Sequence, residues 1–242
     1  MPTITDHYEN FLADHYNWIF GGWEMKAEEN MRFFETHLIR PKNTRTALDL
    51  GAGSGFQSIP LARLGFNVMA IDLSEKLLSE LKSRGGGFNI TAVKDDLLNF
   101  PNHCAGPVEL CVCMGDTLTH LESKEKIAGL FRQAYAALEA GGKLILSYRD
   151  LTFELKDLDR FIPVRSDEER IFTCYLEYEP EHVKVHDLVY EKAGNAWTLN
   201  KSFYRKIRVP FEWTKRTLTE AGFKLGFAQV EKGLATVIAV KD

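Results

Sequence analysis

The chain of 242 residues is 45% hydrophobic and 26% charged, which is the balance of an ordinary globular protein. Thirty lysines and arginines against thirty-four aspartates and glutamates give a net charge of −4, and this charge disfavours nucleic acid as a partner. Four cysteines are too few for a disulfide framework, and the N-terminal stretch lacks the long apolar run of a secretory signal or membrane span. Composition therefore excludes fibrous, disordered, membrane-spanning and disulfide-stapled proteins, and the cysteines predict a reducing, cytoplasmic setting.

The first forty residues carry a helical pattern. Apolar side chains recur at helical spacing within residues 6–20 and predict an amphipathic helix, whose packed face comprises Tyr8, Phe11, Leu12, Tyr16 and Ile19. Gly21 and Gly22 interrupt the pattern, and a second helix is predicted over 24–38. We expect residues 1–40 to form an N-terminal helical segment that acts as a lid or cap.

Between residues 41 and 150, short apolar strands alternate with helices. The strands are predicted over 46–50, 67–72, 89–93, 108–114 and 143–148. The helices between them are predicted over 57–64, 74–82 and 124–138. Because each parallel crossover needs a helix to cover one face of the sheet, this alternation predicts an α/β core with a Rossmann-like, doubly wound sheet.

The pattern changes after the fifth strand. Residues 151–210 contain alternating stretches without helices, which predict an antiparallel β insertion that covers the substrate. Residues 211–242 read as a final helix and a strand pair that completes the core. The expected fold is thus a seven-stranded sheet with its last strand antiparallel, an N-terminal helical segment and a β insertion.

A glycine-rich turn follows the first strand of the core, in the run Asp49-Leu-Gly-Ala-Gly-Ser-Gly55. Glycines allow the backbone to turn tightly and to approach a ligand closely. A dinucleotide-binding turn reads G-x-G-x-x-G, whereas this one has different spacing and an acid two residues before its first glycine. A carboxylate there repels a pyrophosphate and attracts an ammonium group, which argues against an NAD-dependent oxidoreductase.

Further acids end the next two strands. Asp72 ends the second strand, where a carboxylate can accept hydrogen bonds from both hydroxyls of a ribose. Asp95 and Asp96 follow the third strand, where an acceptor can take the exocyclic amine of adenine. Together with the glycine turn, these acids describe a site for a nucleoside that carries an amino-acid tail and no phosphate.

These motifs resemble the donor-binding motifs of class I S-adenosylmethionine-dependent methyltransferases. The resemblance implies that Asp49 and the Gly51 carbonyl hold the methionine ammonium, that Asp72 takes the ribose, that Leu73 and Met114 sandwich adenine, and that Asp96 and the Leu97 amide read the adenine edge. Tyr16 is an additional candidate from the first helix. The predicted donor site comprises Tyr16, Asp49, Gly51, Ala52, Gly53, Asp72, Leu73, Asp96, Leu97 and Met114.

Two further segments are similar to the glycine N-methyltransferase and glycine/sarcosine methyltransferase branch: Cys113-Met-Gly-Asp-Thr-Leu-Thr-His-Leu121 and Gly141-Gly-Lys-Leu-Ile-Leu-Ser-Tyr-Arg-Asp150. They supply the predicted catalytic residues His120, Tyr148 and Arg149, of which Arg149 would orient a carboxylate. The chain departs from that branch at Asp116, where Asn is common, and in Trp23-Glu-Met-Lys-Ala-Glu28, which lacks an arginine-rich stretch. A free Asp116 carboxylate would favour an amine-bearing acceptor.

Each candidate also has a purely structural interpretation. Asp72 and Asp96 could cap short helices, His120 could be a core histidine, and Arg149 could form a surface ion pair. Tyr8 and Tyr16 could simply belong to a packed helix face.

The sequence therefore predicts an S-adenosylmethionine-dependent methyltransferase that methylates the nitrogen of a small amine or amino-acid-like acceptor by in-line displacement. The donor is its co-substrate, and no metal, nucleic acid or membrane is expected. The alternatives are an O-methyltransferase for a natural-product or carboxylate acceptor, and a non-catalytic methyltransferase-like binding subunit. The oligomeric state stays open.

Overall fold

The computed structural model describes residues 4–242, so the first three residues of the predicted N-terminal segment lie outside the described residues. Residues 4–19 are helical but not continuous: helix α1 (Ile4–His7) leads into a π-helical turn (Tyr8–Leu12), a 3₁₀ turn (Ala13–His15) and helix α2 (Tyr16–Ile19). This differs from the single helix that the spacing predicts. Each change of helix type rotates the side chains that follow it about the helix axis. The short segment can therefore contact both the insertion and the cavity.

Gly21 and Gly22 have φ values of 88° and 107°, which break the helical run as predicted. The remaining helices are α3 (Trp23–Thr36), α4 (Ser58–Arg63), α5 (Glu75–Arg84), α6 (Lys124–Ala137) and α7 (Phe211–Glu220). Ser74 caps α5 by accepting a hydrogen bond from the Leu77 amide. Within residues 4–242, no helix is long and apolar enough to cross a membrane.

Seven strands form the central sheet: β1 (Thr46–Leu50), β2 (Asn67–Asp72), β3 (Ile90–Lys94), β4 (Val108–Cys113), β5 (Leu138–Arg149), β10 (Phe223–Glu231) and β11 (Leu234–Lys241). Their order is β10-β11-β5-β4-β1-β2-β3, with β1 to β5 parallel and β11 antiparallel to both of its neighbours. Helices cover both faces, so the central strands are buried and almost continuously apolar. This arrangement confirms the predicted fold class.

The strand order reverses beside β1, whose neighbours are β2 on one side and β4 on the other. Crossovers from β1 and β4 leave this point in opposite directions, and the turns at the carboxyl ends of the strands separate to form a crevice. The crevice is where the glycine turn and the predicted acids meet.

The insertion is a separate antiparallel sheet of four strands: β6 (Phe161–Ser166), β7 (Arg170–Tyr178), β8 (His182–Ala193) and β9 (Ala196–Ile207). One face of this sheet packs on the N-terminal segment, where Leu12 contacts Phe172 and Val189 in a small apolar cluster. The N-terminal segment therefore lies between the insertion and the crevice.

A buried polar contact fastens the N-terminal segment to the insertion. His7 Nε2 lies 3.1 Å from Asp187 Oδ2, and His7 Nδ1 lies 2.8 Å from Ser202 Oγ. His7 and Asp187 are both 1% exposed. Because water cannot replace a buried partner without a rearrangement, this contact resists opening of the segment.

We expect His7→Ala to release the N-terminal segment while the core stays folded. The substitution leaves the buried Asp187 carboxylate short of a donor, which costs about 1–3 kcal/mol. Hydrogen exchange should become faster in residues 4–19 of the variant and stay unchanged in β1 and β4. His37→Ala, which changes a histidine on another helix end, should leave both regions as in the parent; equal protection of residues 4–19 in all three proteins would refute the anchoring role.

Candidate active site

A cavity of about 270 Å³ opens at the carboxyl ends of β1, β2, β3 and β4. Its wall contains seven of the ten predicted donor-binding residues: Tyr16, Gly51, Gly53, Asp72, Leu73, Asp96 and Leu97. Of the three predicted catalytic residues, His120 lines it. The structure thus brings most of the predicted site to one place.

The glycine turn forms the floor of the cavity. Gly51 and Gly53 have φ values of 81° and 53°, a backbone region that favours glycine. A Cβ atom on Gly51 would overlap the Thr117 side chain, and one on Gly53 would lie 3.3 Å from the Tyr16 ring. Glycine is therefore required for the close approach of the turn to its neighbours.

Asp72 joins the glycine turn to the start of α5. Its Oδ2 accepts a hydrogen bond from the Gly53 amide at 2.8 Å, and its Oδ1 accepts one from the Ser74 amide at 2.8 Å. Burial raises the pKa of Asp72, while these amides oppose the rise. A carboxylate oxygen has two lone pairs, so each oxygen can accept one more hydrogen bond, as the two hydroxyls of a ribose would require.

Asp49 lies behind the glycine turn and is 1% exposed. Its Oδ2 accepts a hydrogen bond from the Ser58 hydroxyl at 2.5 Å, whereas its buried Oδ1 has no partner among residues 4–242. Burial raises the pKa of Asp49 to about 7. An unpaired buried oxygen in a poorly solvated place is suited to a cationic ligand group.

The two acids after β3 differ in how their oxygens are used. Asp95 Oδ2 contacts His103 Nε2 at 2.7 Å, and its Oδ1 accepts from the Asp96 amide and the Asn99 side chain. Among the hydrogen bonds of the described chain, Asp96 uses only Oδ1, which accepts from the Leu98 amide at 2.8 Å. Asp96 is therefore the better placed of the two to accept from a ligand.

Leucine side chains form the apolar part of the wall beside these acids. Leu73 lines the cavity and is 41% exposed, a large fraction for a leucine side chain. Leu77, Leu97 and Leu98 continue this surface. Such a slot suits the flat apolar faces of a nucleobase.

The N-terminal segment contributes two tyrosines to the cavity wall. Tyr16 stacks on Phe56 with ring centroids 5.4 Å apart, and Tyr8 OH lies 3.2 Å from His120 Nε2. Burial raises the pKa of both phenols, so both remain protonated hydrogen-bond donors. The sequence identifies Tyr8 only as a possible packing residue, because a helical stripe does not show which member of it reaches a cavity.

His120 is a neutral imidazole in this setting. Burial, followed by the charge of Lys206, lowers the pKa of His120 to about 3. Its Nδ1 atom is buried and has no partner within the described residues. His120 can therefore donate a hydrogen bond, but it is too weak a base to accept a proton from an amine at neutral pH.

Asp116 does not present the free negative charge that the sequence predicts. Its Oδ2 pairs with the Lys206 ammonium of β9, and its Oδ1 accepts from the Arg149 amide at 2.9 Å. Burial raises the pKa of Asp116, but Lys206, together with the Arg149 amide and His120, outweighs burial and lowers this pKa. The prediction misses Lys206 because the two residues are 90 positions apart and only the folding of the insertion brings them together.

Two predicted catalytic residues lie outside the cavity wall. Tyr148 is fully buried in the core, where its hydroxyl lies 2.7 Å from Thr214 Oγ1. Arg149 points to the other face of the sheet and is exposed, so its backbone amide, rather than its guanidinium, reaches Asp116. Successive side chains of a strand alternate in direction, and the resemblance alone does not show which of them faces the ligand.

Three predicted donor contacts do not line the cavity: Asp49, which lies behind the glycine turn, Ala52 and Met114. Met114 is 7% exposed and packs in the core with Phe34 and Ile145, and Ala52 is buried within the turn. The leucines beside Asp72 and Asp96 supply the apolar surface that the sequence analysis assigns in part to Met114.

The fold and the cavity together define a Rossmann-like protein whose switch-point crevice offers groups suited to a nucleoside with a cationic tail. Residues 47–142 match the family model described as "Methyltransferase domain". A glycine/sarcosine N-methyltransferase of Parasynechococcus marenigrum is 27% identical over 233 residues, which are 91% of this chain and 78% of that protein. A glycine/sarcosine/dimethylglycine N-methyltransferase of Actinopolyspora halophila is 30% identical over 131 residues, but the match spans only 23% of that protein.

Solved structures share the fold at low sequence identity. A methyltransferase from Clostridium acetobutylicum superposes with a TM-score of 0.75 at 17% identity, covering 97% of this chain and 98% of that one. S-adenosylmethionine-bound CalS10 from Micromonospora echinaspora, an amino pentose methyltransferase, gives 0.72 at 15% identity, covering 91% and 92%. The chain thus contains a methyltransferase domain over residues 47–142, its curated relatives are named methyltransferases, and S-adenosylmethionine is its co-substrate.

The unpaired oxygen of Asp49 and the free lone pairs of Asp72 fit that co-substrate. S-adenosylmethionine carries an ammonium group and two vicinal ribose hydroxyls, which are hydrogen-bond donors. The carboxylates at the glycine turn supply matching acceptors.

We expect Asp72→Ala to weaken the binding of S-adenosylhomocysteine by about 1–3 kcal/mol, because charge-assisted hydrogen bonds to the ribose are lost. Isothermal titration measures the dissociation constant, and circular dichroism checks that the variant is folded. Asp95→Ala is the matched control, since Asp95 Oδ1 already accepts two hydrogen bonds and Oδ2 contacts His103, and it should change affinity much less. An unchanged affinity in folded Asp72→Ala would place the ribose elsewhere.

The raised pKa of Asp49 predicts a pH dependence of donor binding. Below about pH 7 this carboxyl is mostly protonated in the free protein, and a donor ammonium finds no opposite charge. Affinity should therefore fall by up to about tenfold per pH unit as the pH drops from 7 to 5.5, and binding near pH 6.5 should release a proton. Asp49→Asn should bind weakly with a flat pH profile; a parental profile that is equally flat would show that Asp49 does not titrate on binding.

Proposed function

We propose that this methyltransferase transfers the methyl group of S-adenosylmethionine to the nitrogen of a small amine. The observation that carries the proposal is the neutral pair of Tyr8 and His120 at the cavity wall. A hydroxyl acceptor needs a base to remove its proton, and this histidine is too weak a base for that. An amine in its free-base form already has the lone pair that it needs and requires only orientation.

The names of the relatives support nitrogen as the attacked atom. One relative is named a glycine/sarcosine N-methyltransferase and another a glycine/sarcosine/dimethylglycine N-methyltransferase. The fold neighbour CalS10 is named an amino pentose methyltransferase. The amino-acid-like acceptor that the sequence predicts needs a group for its carboxylate. Within the described chain, neither Arg149 nor an arginine of the insertion lines the cavity, and the one lysine in its wall, Lys126, already pairs with Glu122, so we favour an amine without a carboxylate.

In the proposed complex, Asp72 holds the ribose and Asp96 with the Leu97 amide holds the adenine edge. Leu73 covers the base, and Asp49 faces the methionine ammonium. Tyr16, above the glycine turn, is a further donor contact. The oxygens and apolar surfaces of the cavity wall support these positions, and the unpaired Oδ1 of Asp49, behind the glycine turn, supports the ammonium contact.

The reaction is an in-line displacement on an activated donor. The amine lone pair forms the new C–N bond while the C–S bond breaks and its electron pair stays on sulfur, and the product ammonium then loses a proton to solvent. The protein contributes orientation and exclusion of water. Tyr8 and Tyr16 close the cavity, and the hydrogen bond between Tyr8 and His120 fixes the groups that face the amine.

We further propose that the insertion over 151–210 covers the acceptor and that the enzyme works in the cytoplasm. Lys206 reaches from β9 to the turn after β4, which supports the covering role. The four cysteines are free thiols, as expected in a reducing compartment.

A product scan with methyl-labelled donor tests the proposed acceptor class. The panel contains simple amines, amino sugars, glycine, sarcosine, phenols and carboxylates, and mass spectrometry locates the label. We expect transfer to amines that lack a carboxylate, and none to phenols or carboxylates. Asp72→Ala is the control for donor-dependent turnover. Label found only on oxygen would contradict the proposal. Donor binding with no turnover on any acceptor would also contradict it and would favour a binding subunit.

A further inference from the structure

The turn after β4 contains a strained acidic residue. Asp116 has a φ of 79°, a conformation that is uncommon for residues other than glycine. Its neighbours Gly115 and Thr117 line the cavity, so Asp116 lies behind the wall. This part of the wall also contains Tyr8 and His120, and we call it the acceptor end. A strained residue next to a site needs an interaction that holds it there.

Lys206 provides that interaction from the insertion. Its side chain is 8% exposed, the Asp116 side chain is 15% exposed, and the ammonium pairs with Asp116 Oδ2. Thr119 Oγ1 and the Arg149 amide donate to Oδ1, at 3.1 and 2.9 Å. Both carboxylate oxygens are therefore engaged, and the two opposite charges balance each other behind the acceptor end of the cavity.

The same pair lies beside the groups that would face an acceptor. The Lys206 ammonium is 5.6 Å from the centre of the Tyr204 ring, and that ring is 5.3 Å from the His120 ring. In a partly desolvated wall, a charge at this range is only weakly screened. Removal of either member would expose the acceptor end to one uncompensated charge.

We propose that the Asp116–Lys206 pair is a specificity-determining device that keeps the acceptor end electrically neutral and thereby selects amines that carry no second charge. This inference rests on the proposed methylation of an amine. Lys206 acts through Asp116 and His120 as a positioning residue and does not touch the reacting atoms. An unpaired Asp116 would attract a cationic acceptor, and an unpaired Lys206 would attract a carboxylate.

The charge of Lys206 also reaches His120, which gives a readout that does not depend on the acceptor. The groups that face His120 are Tyr8 and His7 from the N-terminal segment, Asp116 from its own turn, and Tyr204 and Lys206 from β9. After burial, Lys206 is the largest influence that lowers the pKa of His120. Loss of this positive charge should therefore raise that pKa.

The test uses three amines that differ in their second group: propanolamine with a hydroxyl, β-alanine with a carboxylate, and a propylamine that carries a trimethylammonium group. They are measured at one fixed pH as methyl acceptors, or as competitive inhibitors if they are not methylated. The parent should prefer propanolamine. Lys206→Gln, which keeps a hydrogen-bond donor for Asp116, should shift the preference about tenfold or more towards the trimethylammonium amine, and Asp116→Asn should shift it similarly towards β-alanine.

The double variant Asp116→Asn/Lys206→Gln removes both charges and should return to the parental preference. It should also be more stable than either single variant, since no buried charge is left unpaired. Lys201→Gln, which changes an exposed lysine on the same strand, is the matched control and should change neither preference nor stability.

Nuclear magnetic resonance titration of His120 tests the electrostatic effect of Lys206 separately from the proposed methylation of an amine. In Lys206→Gln the pKa of His120 should rise, whether or not any amine in the panel is methylated. A rise in this pKa together with transfer only to oxygen would refute the proposed function but not the electrostatic role. Folded single variants with the parental acceptor preference and an unchanged His120 titration would overturn the specificity role and leave a purely structural ion pair.

Discussion

The carboxylate of Asp72 is the interaction on which the donor site depends. It lies at the carboxyl end of β2 and accepts one amide from the glycine turn after β1 and one from the start of α5. Two crossover turns that diverge at the switch point of the sheet are thereby held at a fixed separation. Because these hydrogen bonds use one lone pair of each oxygen, the site is organised before a ligand arrives and keeps acceptors for it.

The acceptor end is built differently, by three elements that are distant in sequence. The N-terminal segment contributes Tyr8, the turn after β4 contributes His120 and Asp116, and the insertion contributes Lys206. His7 ties the N-terminal segment to the insertion, so each element contacts the other two. Opening this end for substrate entry must break several of these contacts together, whereas the floor of the cavity can stay in place.

The core of the fold is predictable because its signals are local. Apolar runs, the Ser74 cap and the glycine turn each depend on a few consecutive residues, and the acids follow from their places at strand ends. The directions of Met114 and Tyr148 are not predictable in this way, since a shift of one residue in a strand reverses the facing surface. The pairing of Asp116 with Lys206, and of Tyr8 with His120, arises only from tertiary packing.

A crystal structure of the protein with S-adenosylhomocysteine tests the central claim most directly. We expect the ribose hydroxyls within hydrogen-bond distance of both Asp72 oxygens, the adenine ring against Leu73 with its edge at Asp96, and the ammonium group on the side of Asp49. A nucleoside bound outside this cavity, or a complex in which Asp72 contacts only the amides of Gly53 and Ser74, would contradict it.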